Sequence, residues 1–136
     1  MFISKRTIAF LAGLTLASAA YAAPHFADVT VSDSDDGDAT ESFATDTPQI
    51  VVTAHLVDVA SGSKLTGTWI AEDTGGAAPP NYKIDSADVT AGSIMNTVTF
   101  RLSKPNAGWP VGTYRVDMYI DGKPAGAAHF KVAKDS

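Results

Sequence analysis

The sequence predicts an all-β protein, an antiparallel two-sheet sandwich of about seven strands. Three observations point there: short runs of alternating apolar and polar residues recur along the chain, clusters of Gly, Pro, Asn, Asp and Ser separate them, and no stretch shows a ten-residue helical period. The clearest run is Gly108 to Gly122. Gly108, Pro110 and Gly112 supply a turn, and Tyr114, Val116, Met118 and Ile120 then alternate with Thr113, Arg115, Asp117 and Tyr119, the pattern of a strand with one dry face.

In chain order, residues 1–22 are expected to lie outside the fold. Lys5 and Arg6 precede an apolar run from Ile8 to Ala20, and Ala20-Tyr21-Ala22 offers a small-residue cleavage site, which together describe a secretory signal peptide. Cleavage after Ala22 avoids placing Pro24 first and leaves residues 23–136 as one domain. The apolar run is shorter than the roughly 20 residues that cross a bilayer. A first strand follows from Phe26 to Val31, with Phe26, Val29 and Val31 around Asp28 and Thr30. Ser32 to Ser42 holds five acidic residues and no large apolar one, so it reads as a solvated loop, and Phe43 returns to the core.

The second strand begins at Gln49, with Ile50, Val52, Ala54 and Leu56 on one face and Val51, Thr53, His55 and Val57 on the other. After the turn Ala60–Ser63, a third strand puts Leu65, Gly67 and Trp69 inward and Thr66, Thr68 and Ile70 outward, and these two strands are expected to form a hairpin. Glu72 to Asn81 is too rich in Gly and Pro to be regular, and Tyr82 to Val89 is a weak fourth strand. In the fifth, Ile94, Val98, Phe100 and Leu102 form the apolar set, with Asn96 as its polar member. The sixth is the Tyr114 to Ile120 run. Asp121-Gly122 then turns the chain into a seventh, where Ala128, Phe130 and Val132 face inward.

Composition limits the function. There is no cysteine, hence no disulfide, no thiolate metal site and no lipidated cysteine. The formal charge of −5 becomes −7 once Lys5 and Arg6 are removed, a field that repels phosphate backbones and anionic lipid, so neither nucleic acid nor membrane insertion is expected.

Trp69 in the third strand and Gly112-Thr113-Tyr114-Arg115-Val116 at the start of the sixth resemble two landmarks of immunoglobulin-like sandwiches, the core tryptophan and the tyrosine corner. Val116 stands where a disulfide-bonded member has its second cysteine. More specifically, Phe43-Ala44-Thr45-Asp46-Thr47-Pro48-Gln49-Ile50, then Trp69, then Gly108 through Lys123 resemble a group of bacterial extracytoplasmic Ig-like modules with a G-W-P-x-G-x-Y-x-V-x-x-Y-x-D-G-K motif. That resemblance implies an Ig-like fold and a periplasmic or secreted location, and it carries over no catalytic residues.

Candidate sites are few. Asp33, Asp35, Asp36, Asp38 and Glu41 are hard oxygen ligands suited to calcium, but Gly37 comes one residue early for an EF-hand counted from Asp33. His25 would be third in the cleaved protein, the position used by amino-terminal copper clips, yet Pro24 lacks the amide hydrogen such a clip removes. Periplasmic copper-carrier sandwiches, which are similar in their last hairpin, have Asp-Gly-His where this chain has Asp121-Gly122-Lys123, and a protonated lysine has no lone pair to give. A metal-handling sandwich is therefore the alternative and not the main reading; no cofactor is expected.

His55 and His129 are expected on outward faces of opposite sheets. Trp109 either caps the sandwich, as the rigid Pro110 beside it favours, or faces a partner together with the outward Arg115 and Tyr119. No nucleophile elbow, glycine-rich phosphate loop or convergent carboxylate pair suggests catalysis. The expectation is a binding module for a protein or cell-envelope partner.

Overall fold

In the computed structural model, residues 23–35 and 37–134 are described; the signal-peptide reading and Asp36 fall outside them. These residues form eight strands and no helix: β1 (His25–Ser32), β2 (Ser42–Ala44), β3 (Gln49–Val57), β4 (Lys64–Asp73), β5 (Tyr82–Thr90), β6 (Thr97–Ser103), β7 (Gly112–Ile120) and β8 (Lys123–Ala133). They make a three-stranded sheet, β1-β3-β6, and a five-stranded one, β2-β8-β7-β4-β5. All pairings are antiparallel except β2 with β8, where three residues around buried Phe43 run parallel to the last strand.

The alternating runs put their apolar members where period two requires. Tyr114, Val116, Met118 and Ile120 of β7 are buried, as are Ile50, Val52 and Ala54 of β3 and Ala128, Phe130 and Val132 of β8. In β1, Phe26 and Val31 are five apart and yet both buried, because a bulge between Ala27 and Thr30, with Asp28 at φ 50°, shifts the register. Phe26 then lies opposite Leu56, and Val31 opposite Val52, on one face of β3. Asp121 and Gly122, at φ 50° and 82°, close the β7–β8 hairpin with the two left-handed residues that such a turn demands.

Two expectations are corrected and one is refined. β3 and β4 are not a hairpin: β3 is flanked by β1 and β6, and β4 by β5 and β7, so the segment between them carries the chain from one sheet to the other. Ile94 is not an inward residue of β6 but 95% exposed. The segment before β6 closes on itself through Met95 N–H to Gly92 O and is tied to the β3–β4 connection by Gly62 N–H to Ala91 O and Ala91 N–H to Ser63 O, so β6 starts only at Thr97. Ile70, placed outward, is buried on that outer face between its cross-strand neighbours Arg115 and Lys83.

The glycines record how the sheets are superposed. A Cβ on Gly67 of β4 would come 2.8 Å from the Phe100 ring of β6, and one on Gly126 of β8 would come 3.2 Å from Phe26 Cβ of β1. Thus β6 lies over β4 and β1 over β8, with β3 between them over β7. No strand of the smaller sheet lies over β5.

Candidate binding site

One end of the sandwich is built by the β4–β5 connection, residues 74–81, and the β6–β7 connection, residues 104–111. The first is shaped from within. Buried Thr74 accepts the Ala78 N–H on its hydroxyl (2.9 Å), Asp73 Oδ1 accepts the Gly75 N–H (3.0 Å), and Gly75, Gly76 and Asn81 take positive φ. The second is fixed from outside. Trp109 donates its backbone N–H to Thr45 O and its indole Nε1–H to Thr47 O, both at 2.9 Å, and Lys104 N–H reaches Pro48 O.

Beneath these loops sits an aromatic cluster around Phe130. Tyr114 stacks on it at 5.1 Å, while Phe43, Trp69 and Trp109 meet it edge-on at 5.7, 6.2 and 6.4 Å. Tyr114 Oη donates to Pro110 O at 2.5 Å, closing the corner before β7. Burial pushes its hydroxyl pKa up from 10 to about 12. Gly112 permits this corner, since a Cβ there would lie 2.1 Å from the Asp73 carbonyl oxygen. Trp109 is 2% exposed and caps the core, the favoured of its two expected roles, with its indole N–H given to Thr47 O.

Between the two loops lies a groove of about 310 Å³. Trp109, Tyr114 and Ala71 are among its lining residues, with Ala78, Ala107, Pro105 and Pro110 from the loops and Tyr82 and Ile84 from β5. Tyr82 is half exposed there. No charged side chain lines the groove and the Thr74 hydroxyl is already engaged by Ala78, so it suits an apolar group and offers nothing to an ionic one.

Arg115 and Tyr119 stand on the outer face of the five-stranded sheet, away from the Trp109 cap. Arg115 is already engaged: Nε donates to both oxygens of Asp117 at 3.1 Å, and Nη1 to Asn81 Oδ1 at 2.9 Å and Glu72 Oε2 at 3.3 Å. The hydrogen bond to Asp117 is the first reason its pKa lies above the ordinary arginine value. Tyr119 lies opposite Thr66, whose hydroxyl donates to Asp88.

The metal candidates are placed apart. Asp35 forms a two-point pair with Arg101 of β6, at 2.8 and 3.3 Å, and the Glu41 carbonyl accepts the Lys131 N–H. Asp33 and Asp38 lie exposed on the same β1–β2 loop. Asp121 Oδ1 accepts the Lys64 N–H at 2.8 Å, holding the last hairpin, while Ala23 and Pro24 border a hollow of about 250 Å³ beside Asp121 and Lys123. His25 Nδ1 lies 3.0 Å from Ala23 O. His55, on β3, is 3.6 Å from Asp28, and His129 is on β8 in the other sheet. Among the described residues no three His, Cys, Asp or Glu side chains come together as a metal site would need.

The groove residues Tyr82, Ile84, Ala78 and Ala107 carry no motif. The nearest signal is the apolar pair Tyr82 and Ile84 directly after a Pro-rich loop.

No protein-family model matches the chain, and no curated protein matches it. Among solved structures it is similar to an immunoglobulin-like protein from Pseudomonas aeruginosa, with a TM-score of 0.51 and 13% identity over 83% of this chain and 94% of that one. An alkylpurine DNA glycosylase from Pseudomonas fluorescens gives 0.45 and 18% over 88% of this chain, and a β-D-glucoside glucohydrolase from Trichoderma reesei 0.43 and 12% over 83%. The chain spans a third and a fifth of those two, respectively. What the first likeness shows is the fold, an immunoglobulin-like β-sandwich.

Proposed function

We propose that this chain is an exported, non-catalytic Ig-like binding module, working in the periplasm or outside the cell after cleavage near Ala22, and that it takes an apolar side chain of a protein or cell-envelope partner into the groove at the Trp109 end. The groove itself carries the proposal. It is an uncharged cleft with an aromatic floor, walled by two loops that are each held by their own hydrogen bonds, and such concave apolar sites are where binding concentrates. The outer face around Arg115 is the weaker surface for a partner, because most of the guanidinium donors are already used by Asp117, Glu72 and Asn81. The metal-handling alternative draws no support from the placement of His25, Asp121 and the acidic loop.

An environment-sensitive apolar dye tests the groove, with Trp109 as a built-in reporter on its floor. Dye fluorescence should rise with the wild-type protein, together with a change in tryptophan emission. Ala107→Asp, which puts a charge in the lining, should weaken binding at least tenfold. Equal titrations for the two proteins would remove the groove reading. Amino-terminal sequencing of the exported protein checks the other half, since a start other than Ala23, or an intact residue 1, contradicts the processing proposed.

A further inference from the structure

The two sheets are unequal, and the inequality leaves a strand-shaped vacancy. β1, β3 and β6 lie over β8, β7 and β4, as the contacts of Gly126 with Phe26 and of Gly67 with Phe100 show, and β5 continues the larger sheet beyond them with no strand of the smaller sheet above it. Seven of the nine β5 residues are exposed for that reason, and only Ile84 and Val89 are half buried against the edge of the core. On the other side of the gap, β6 pairs with β3 alone, so one row of its backbone N–H and C=O groups points out over β5 unpaired.

The floor of this vacancy has a definite chemistry. Register with the inward residues Leu65, Gly67 and Trp69 of β4 puts Val89, Ala87 and Asp85 on the inner face of β5, and Ile84 joins them at the bulge. Three of the four are apolar. Asp85 is the exception: its carboxylate accepts the N–H of the adjacent Ser86 and, among the described residues, pairs with no Lys, Arg or His. A strand laid over β5 would take that carboxylate out of water, which is costly unless a cation comes with it.

We infer that an extended segment of a partner protein adds to β6 as a fourth strand of the smaller sheet, covers Ile84, Ala87 and Val89 with alternate apolar side chains, and sets a Lys or Arg against Asp85. β6 is seven residues long, so the segment needs about that length in extended form. Backbone pairing supplies the attachment and the alternate side chains the selectivity, as in other strand additions. Asp85 also acts as a gate. An inward-pointing charge at a sheet edge turns away indiscriminate apolar strands, including those of other copies of this chain, and admits one that brings the complementary charge. The net negative charge of the chain steers a basic segment the same way. This inference rests on the reading of the chain as a binding module; Ile84 is shared with the end groove, whereas Asp85, Ala87 and Val89 are not.

The probe is a ten-residue peptide alternating Val and Thr, with a single central Val replaced by Arg, compared with the same peptide carrying Glu there. Calorimetry should show the Arg peptide binding at least tenfold more tightly, and Asp85→Lys, a change at an exposed position, should reverse the order. Amide hydrogen exchange should slow at alternate residues between Thr97 and Ser103 when the Arg peptide is bound, which charge attraction to the surface would not produce. Equal binding of the two peptides, an order unchanged in Asp85→Lys, or unaltered exchange in β6 would each overturn the strand addition. Dye binding at the Trp109 end separates the two proposals. If it persists while the peptides fail, only the strand addition falls; if it fails while charge-selective peptide binding and β6 protection are seen, only the groove falls.

Discussion

The two flanks of this sandwich are built from the same kind of strand and finished in opposite ways. On one flank β1 packs on β8 so closely that a Cβ on Gly126 would lie 3.2 Å from Phe26 Cβ, and β2 is stitched to the end of β8, so Phe26, Phe43 and Val132 are all buried. On the other, β5 overhangs and its inner face meets solvent. Both flanks end in edge strands, β1 and β2 on the first and β5 and β6 on the second, but on the first the sheets cover each other, whereas on the second the edges are separated by an apolar floor with one carboxylate. The closed flank buries its apolar residues fully, and the open flank leaves Ile84 and Val89 half covered.

Paired truncations on the two flanks measure that division most strongly. Phe26→Ala should lower unfolding free energy by about 3–5 kcal/mol, since it empties a fully packed position under two strands, while Val89→Ala on the half-covered floor should cost less than about 1 kcal/mol. Chemical denaturation of both proteins gives the comparison directly. Similar losses for the two would mean that β5 is as firmly built into the core as β1, and the contrast would collapse.

The same contrast explains which parts of the fold were legible in the sequence. β7 and β8 alternate cleanly because one of their faces is dry and the other wet, so Tyr114, Val116, Met118, Phe130 and Val132 announce themselves. β5 has two wet faces over most of its length, and its segment reads weakly for that physical reason and not for want of being a strand. Periodicity tells which residues point inward but not which strand lies alongside, and so the inward sets of β3 and β4 suggested a hairpin when the two strands in fact belong to opposite sheets. A single bulge at Asp28 is invisible to a two-residue period, yet it lets Phe26 and Val31 share one face. The end groove was least legible, because its walls come from loops some 30 residues apart that only the closure of both sheets brings together.

Tyr114 lies where the two flanks meet, its ring in the closed core and its hydroxyl tied to Pro110 at the wall of the open groove. Tyr114→Phe should cost about 1 kcal/mol at neutral pH by deleting that hydrogen bond. The hydroxyl also has a pH signature. Its pKa is raised to about 12 in the fold from 10 in the unfolded chain, so the folded state holds the proton more tightly. The stabilisation this gives is whole below pH 10 and is lost as pH climbs from about 10 to about 12, of order 2 kcal/mol for a shift of that size. Denaturation midpoints of wild type should therefore fall more steeply than those of Tyr114→Phe across that alkaline window. Parallel curves would mean that the hydroxyl is solvated and the corner open.

The smallest effect is expected where the closed flank reaches across to the open one. The loop after β1 is drawn over the outer face of the smaller sheet by Asp35 and Arg101, and Arg101 belongs to β6, the strand with the free edge. Ser32 and Val51, paired beside Arg101 on that same outer face, are both buried, as residues beneath a tethered loop must be. The pair itself is half exposed, at 49% and 57% for the two side chains, so water and salt screen most of its Coulomb energy. Asp35→Asn should lower stability by no more than about 1 kcal/mol in low salt and by less still in molar sodium chloride. A salt-independent loss, or one above about 2 kcal/mol, would show that the tether and the cover it holds over Val51 are part of the core's own stability; β6 would then be anchored on both of its faces, and its free edge would be the end of a rigid sheet and not of a pliable one.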